Sequence, residues 1–279
     1  MKISPLLNNI DENTFIQSYL SACGISDVDA YLNPDSIEYQ SPDMYKNMDV
    51  AVNLFNNAKG SVGIVIDSDL DGACSAAIAY MLCIENGLED IRIYSHAGKE
   101  HGLSDLASQI AIDEIDLLIV PDAGSNDIYQ CEELMGMSID IIILDHHVIE
   151  KSNRHATVVN PYRADNAPNI NTNISGTGVV EKFACALSST QSFKDLVAIS
   201  LISDICSLRS PENRKYVYDG LTNPTNPFIK YCLEHCCNRG VNPEGVAFGI
   251  APLANALARS DDQSTKRLFF DALIGKIEP

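Results

Sequence analysis

Basic residues are scarce in this sequence: 19 lysines and arginines stand against 38 acidic residues, a formal net charge of −19. That balance argues against a broad nucleic-acid surface, because phosphate contacts are made by Lys and Arg. A local basic path is still allowed, since net charge says little about local distribution. No run of about 18 apolar residues occurs, so no segment is long enough to cross a membrane as a helix. The opening residues, Met1-Lys2-Ile3-Ser4-Pro5, lack the apolar core of a signal peptide. A disulfide framework is missing too. The nine cysteines are scattered, and Cys74, Cys83 and Cys185 sit inside apolar helical patterns. An odd count without a framework fits a reducing compartment, so a cytoplasmic location is expected. Tryptophan, internal repeats and low-complexity tracts are absent. With 46% hydrophobic residues over 279 positions, the chain still supports one large domain or two smaller ones.

What the sequence does have is four acidic or histidine clusters, each following an apolar run. Ser61–Ile66 leads into Asp67-Ser68-Asp69-Leu70-Asp71-Gly72, and Asp116–Pro121 into Asp122-Ala123-Gly124. Ile139–Leu144 leads into Asp145-His146-His147, and Leu196–Ser203 ends at Asp204. Strands are expected at Val62–Ile66, Ile91–Ser95, Leu117–Val120, Ile139–Leu144 and Thr157–Asn160. Helices are expected at Ala73–Asn86, Leu103–Asp113 and Asn126–Met135. Short β-branched runs alternating with helical patterns predict an α/β fold, a parallel β-sheet flanked by helices. Asn160–Ser175 reads as a loop, and the chain after Gly176 as a mostly helical segment. Ligands bind at the carboxyl ends of such strands, so the first three clusters are expected to converge there. Crowded carboxylates are unfavourable unless cations neutralise them. The pattern predicts a metal centre of carboxylates and histidine.

Each motif also has a plainer reading. Asp67, Asp69, Asp71 and Gly72 begin like an EF-hand loop, but its twelfth position would be Ile78, which cannot be the bidentate ligand. The preferred reading puts these aspartates on a strand-end loop, with Gly72 turning the backbone into the next helix. Asp122 alone could be a helix cap, in competition with Ser125 and Asn126. Two adjacent histidines after consecutive aliphatics are uncommon, and imidazole binds transition metals. One could ligate a metal while the other meets substrate, with Asp145 orienting a ring. Asp204 lies among Ile199, Leu201, Ile202 and Ile205, where a buried carboxylate needs a partner or a metal. Cys232, Cys236 and Cys237 with His235 could suggest zinc, but no second cluster completes a tetrahedral site, and reduced helix cysteines are the preferred reading.

In this order, Asp-x-Asp-x-Asp-Gly, Asp-x-Gly, Asp-His-His and a helical Asp resemble the four motifs of the DHH phosphoesterases. Further segments are similar to the RecJ branch, single-strand-specific 5′→3′ exonucleases. They are Tyr31-Leu32-Asn33-Pro34 with Ser41-Pro42-Asp43-Met44, Glu100-His101-Gly102-Leu103, and Asn160-Pro161 with Ser175–Val179. Ile202–Ile205 with Glu212-Asn213-Arg214, and Ile250-Ala251-Pro252 with Asn255-Ala256 and Arg259, complete the resemblance. His101 stands where Tyr is usual, Leu253 where Arg is usual and Ala258 where Gly is usual. Nothing similar to the family's Gly-Gly-rich DHH-associated domain or its OB-fold domain follows. The expectation is a catalytic-core fragment or a short variant with another substrate or partner.

The resemblance implies a division into 1–60, a helical extension packed on the core, 61–222, the DHH catalytic domain, and 223–279, a helical start of an interdomain connector. It implies a phosphodiesterase using two ions roughly 3.5–4 Å apart. Asp67, Asp69, Asp71, Asp122, His146 and Asp204 would hold them, with Asp122 bridging. Mixed carboxylate and imidazole donors suit Mn²⁺, with Mg²⁺ as the alternative. His147, with Asp145, would act at the phosphate. Ser175 and Gly176 would offer a helix start to phosphate, and Arg209, Arg214, Asn255 and Arg259 would contact substrate. The implied substrate is single-stranded DNA, with a replication or repair protein as partner. Short oligonucleotides or cyclic dinucleotides are the alternative substrates, and a non-catalytic DHH scaffold is the alternative of another class.

Overall fold

Five short strands form one parallel sheet in the order β2-β1-β3-β4-β5. They are β1 (Val62–Ile66), β2 (Ile91–Ser95), β3 (Leu117–Pro121), β4 (Asp140–Leu144) and β5 (Thr157–Val159). Val62 pairs with both Ile91 and Leu117, Leu117 with Asp140, and Ile142 with Thr157. The computed structural model describes residues 14–277, so residues 1–13 of the expected extension, including Pro5, lie outside the described residues.

The central strands are apolar on both faces because helices cover both. On one face Ile64, Ile119, Ile142 and Leu144 join the larger core cluster, which runs from Tyr45 to Leu273. It includes α3 (Met48–Asn57), α4 (Leu70–Glu85), α7 (Gly176–Ala186) and α8 (Lys194–Ser203). On the other face Val65, Leu118, Val120 and Ile143 pack with residues of α5 (Ala107–Ile112) and α6 (Ile128–Gly136). Helix α4 is buried almost all round. Its alanines Ala73, Ala76, Ala77 and Ala79 leave room for close packing against β1 and α7.

Two short helices, α1 (Phe15–Ala22) and α2 (Val28–Leu32), lead in, and α9 (Pro211–Thr222) packs on α8. The chain then continues through α10 (Pro227–His235) and the single turn α11 (Pro243–Gly245). A π-helical stretch, Val246–Ile250, joins that turn to α12 (Ala251–Ala258), and α13 (Gln263–Leu273) follows. Pro252 has no N–H to give the Phe248 carbonyl and its ring would crowd that carbonyl, which accounts for the widened turn just before it.

A buried polar network ties Gln40 to α7 and α9. Lys182 Nζ donates to Glu212 and, at 2.7 Å, to the Gln40 carbonyl. The Glu212 carboxylate also accepts from the Gln40 amide and from Asn171 Nδ2. Asn171 in turn donates to Asn213 Oδ1, and Asn213 Nδ2 to the Asn173 carbonyl.

In this strand order the chain reverses direction across the sheet between β1 and β3, and such a switch point opens a crevice at the carboxyl ends. Asp67 follows β1 and Asp122 follows β3. The topology delivers both to that crevice.

Candidate metal centre

The first acidic cluster is divided between loop and helix. Helix α4 starts at Leu70, three residues before the expected Ala73, because Asp69 caps it by accepting the Gly72 amide at 3.0 Å. Asp67 stays in the loop, while Asp71 and Gly72 belong to the first helical turn. The reading of Gly72 as a backbone turn is therefore corrected. A side chain there would meet the Asp67 main chain and Cβ at 2.5–2.8 Å, so close approach is what demands glycine.

Asp71 is fully buried, and its partners come from far along the chain. The Gly176 and Thr177 amides at the start of α7 donate to its two oxygens at 2.8 Å each. Hydroxyls of Thr177 and Ser200 donate to Oδ1 at 2.5 Å. Burial alone would raise this carboxyl, but the facing His146 ring and these hydrogen bonds hold it below its ordinary value. A helix N-terminus is an anion site, and here the anion is the chain's own aspartate. Ser175 accepts from the Gly178 amide and lies 2.6 Å from the Ser200 hydroxyl. The Gly176 amide, expected to meet a substrate phosphate, is thus committed to Asp71, while the Ser175 hydroxyl caps α7 and reaches Asp71 only through Ser200. Gly176 also leaves space for Asp122, whose Oδ1 would sit 2.2 Å from an added Cβ.

Asp122 is 2% exposed and adopts a left-handed backbone, φ 63°, at the end of β3. Asp tolerates that region, and among the described residues no hydrogen bond satisfies its Oδ1. Facing it is His146. The Nδ1 of that ring donates to the Ile174 carbonyl at 2.9 Å, which in the neutral ring leaves the lone pair on Nε2. This Nε2 also has no hydrogen-bond partner. It lies 3.2 Å from Asp122 Oδ1 and 3.6 Å from both Asp71 Oδ2 and Asp204 Oδ2. Lone pairs directed at one another in a buried space repel unless a cation lies among them.

The donor atoms form three overlapping groups, each within 4.8 Å. Asp67, Asp69 and Asp122 make one; Asp122, His146 and His147 make another; Asp71, His146 and Asp204 make the third. Asp122 is common to two of them. Burial, then the surrounding carboxylates, pushes Asp122 well above the usual carboxylate range. The same causes, with Asp71 and Asp69 as neighbours, push Asp204 up to about 8. The cluster resists carrying its full negative charge without a counter-ion.

Beside it His147, 57% exposed, contacts Asp145 Oδ1 through Nδ1 at 2.8 Å. That bond and the Asp145 charge outweigh burial and push the imidazole up to about 9. Asp145 is held by the Ser125, His146 and His147 amides. His147, Asp145 and His101 line one cleft of about 320 Å³ with Ser125 and Asn126.

The other predicted contacts separate. Arg259 donates to the Ser68 carbonyl and lies 4.0 Å from Asp69, so it borders the cluster. Arg209 is exposed, and among the described residues its side chain makes no hydrogen bond or ion pair. Arg214 is not brought to the centre: it donates to the Tyr31 carbonyl and stacks on the Tyr31 ring. Asn255 is committed within the fold. Its Oδ1 accepts the Leu70 amide at 2.9 Å and its Nδ2 donates to Ser203 at 3.1 Å, so it braces α4 against the helix that ends at Asp204.

Two histidines outside the predicted ligand set stand at the site, and of these only His101 lies in a segment that resembles the RecJ branch. His101 Nδ1 lies 2.6 Å from Asp67 Oδ2. His96 is fully buried, with Nδ1 2.7 Å from Asp105 and an unpartnered Nε2 3.9 Å from Asp67. No sequence signal marks His96, because its partners come from separate loops.

Comparison with known proteins gives concordant results. The model of the DHH family, N-terminal domain, matches residues 61–203. The prophage-derived protein YorK of Bacillus subtilis (strain 168), provisionally named a single-strand DNA-specific exonuclease, is 29% identical over 259 residues, 87% of this chain and 44% of YorK. The single-stranded-DNA-specific exonuclease RecJ of Haemophilus influenzae is 26% identical over 257 residues, 80% of this chain and 44% of RecJ. This chain therefore spans less than half the length of these curated relatives. A crystal structure of exonuclease RecJ bound to manganese superposes with a TM-score of 0.67 at 22% identity, covering 82% of this chain and 65% of that one. RecJ of Thermus thermophilus in complex with Mn²⁺ gives 0.66 at 21% identity, covering 88% and 40%. At these identities the structural likeness shows a shared fold.

Proposed function

We propose, from the premise that this chain belongs to the DHH family, that it is a divalent-metal phosphodiesterase. In this reading it removes nucleotides from the 5′ end of single-stranded DNA. One observation carries the metal reading: the buried, unpartnered His146 Nε2 and Asp122 Oδ1 face each other at 3.2 Å. Asp67, Asp69, Asp71, Asp122, His146 and Asp204 would hold the ions, two in this reading, and Asp122 belongs to two of the three donor groups. Oxygen and imidazole donors together suit Mn²⁺, with Mg²⁺ as the alternative. Such ions supply an activated water and charge stabilisation at phosphorus.

The chain's own groups do the rest. The α7 amides with Thr177 and Ser200 fix Asp71, so the cluster is preorganised. Asp145 holds His147 with its Nε2 free for the cleft. In the metal-free chain that ring is pushed up to about 9, and its Nε2 is the atom presented to the phosphate near the leaving oxygen. Arg209 and Arg259 supply local cations along the strand. Residues 61–222 serve as the catalytic domain, followed by the helical segment 223–279.

The single-strand substrate follows the named relatives, and the 5′ polarity follows the RecJ resemblance. The charge of −19 favours a second reading, an oligonucleotidase for short substrates. The test is Mn²⁺-dependent hydrolysis of 5′-labelled single strands of several lengths, beside duplex, dinucleotide and cyclic dinucleotide. Mononucleotides released from the 5′ end of long strands support the exonuclease. Cleavage of the shortest substrates alone supports the oligonucleotidase, and no cleavage of any substrate overturns both.

A further inference from the structure

Seven helices of the described residues end in the same way, with the residue just past the cap in the left-handed region. At six of these positions stand Gly24, Gly87, Glu114, Ser138, Ser188 and Gly275. At the seventh, the end of α8, stands Ile205 with φ 56°. Its amide donates to the Ile202 carbonyl and the Cys206 amide to the Leu201 carbonyl, the paired bonds of a turn that normally carries glycine. A β-branched side chain in this region is a genuine outlier, because its Cβ crowds the following carbonyl. Packing offers no compensation, since Ile205 is 90% exposed. The residue before it is Asp204, whose carboxylate lies 3.6 Å from His146 Nε2. A second exposed aliphatic, Val148 at 61%, directly follows His147.

Strain that the fold does not need, kept beside a reactive cluster, points to a use outside the folded chain. We propose that Ile205 is a substrate-contacting residue, an apolar prop against the base or sugar of the nucleotide next to the scissile phosphate. The proposal rests on the phosphodiesterase reading. Phosphates would be met by metal, His147 and a few arginines, and a chain this acidic has little further cation to offer a strand. Apolar contact with a base face is tolerant of sequence and independent of charge.

The experiment compares wild type with Ile205→Gly and Ile205→Asn, both compatible with the left-handed turn. Ser188→Gly, which relieves the same backbone region at the far end of α7, is the control. Melting temperature is measured, with kcat and KM in Mn²⁺ on a long single strand and on a small aryl methyl phosphodiester that has no base or sugar. Ile205→Gly is expected to melt about 2–4 °C higher. KM for the strand is expected to rise about fivefold in both Ile205 variants, the scale of one weak base contact. KM for the small diester is expected to move far less, and Ser188→Gly to leave strand kinetics alone. An Ile205→Gly protein with unaltered strand KM overturns the proposal. Equal losses on both substrates also overturn it, since they place the effect on Asp204 geometry. A wild-type protein inactive on both substrates removes the phosphodiesterase reading itself, and the proposal with it.

Discussion

Two buried polar clusters meet α7, one at its first turn and one at Lys182, and they are built on opposite rules. Around Glu212 the account closes: Lys182, Glu212, Asn171 and Asn213 each have partners, and a lysine offsets the one carboxylate. Around Asp122 it stays open: among the described residues there are several carboxylates and no lysine, and Asp122 Oδ1 and His146 Nε2 are unpartnered. The closed cluster has the form of a fold-specifying network, in which every buried group is satisfied. The open one carries repulsion that the fold does not relieve, which is how a site waiting for a ligand differs from a structural network of the same residue types.

The comparison breaks most visibly at Asp122. Asp122→Asn is expected to lower kcat/KM about 10³-fold and to abolish the rise in melting temperature produced by Mn²⁺. The chelator-treated variant should melt no lower than wild type, because burial already favours the neutral carboxyl. Calorimetry with and without chelator checks this, and a destabilised apo variant would place Asp122 among structural residues.

Glu212→Ala should do the reverse. Stranding the Lys182 charge costs about 3–5 kcal/mol, while kcat of the folded fraction stays near wild type. Urea unfolding measures the loss. Replacing both partners, Lys182→Met with Glu212→Leu, should cost much less than the single change, and equal costs would contradict a paired network.

The open cluster also predicts a pH dependence. In the folded, metal-free chain Asp204 sits at about 8 and His147 at about 9, both above their unfolded values. The folded state then binds protons that the unfolded state has released, so stability falls as pH rises. The Asp204 part is lost between about pH 4 and 8, and the His147 part between about 6.5 and 9. Melting curves in chelator should show this fall, and saturating Mn²⁺ should flatten it. Stability that rises over that range would refute the assignment. The smallest effect is expected at Asn255→Ala. Loss of the Leu70 acceptor should cost about 1 kcal/mol, with activity down a few-fold.

Much of this is legible in the sequence. All five strands fall within a residue or so of their expected positions, because a period of β-branched residues reports local backbone preference. Each motif stands where its strand or helix ends, so convergence at the carboxyl edge followed from topology alone. Helix α4 began earlier than expected because Asp69 serves as its cap as well as a cluster member.

What the sequence by itself determined, then, was the sheet, its helical flanks and the acidic crevice, all of which follow from short-range patterning. Only the tertiary structure decided how the donors were shared. It gave the start of α7 to Asp71, more than a hundred residues away, where the sequence pointed to phosphate. It turned Arg214 toward Tyr31, committed Asn255 to Leu70, and set His96 and His101 around Asp67. Hydrogen bonds between distant segments leave no periodic trace in a sequence, because each partner is chosen by packing after the local elements exist.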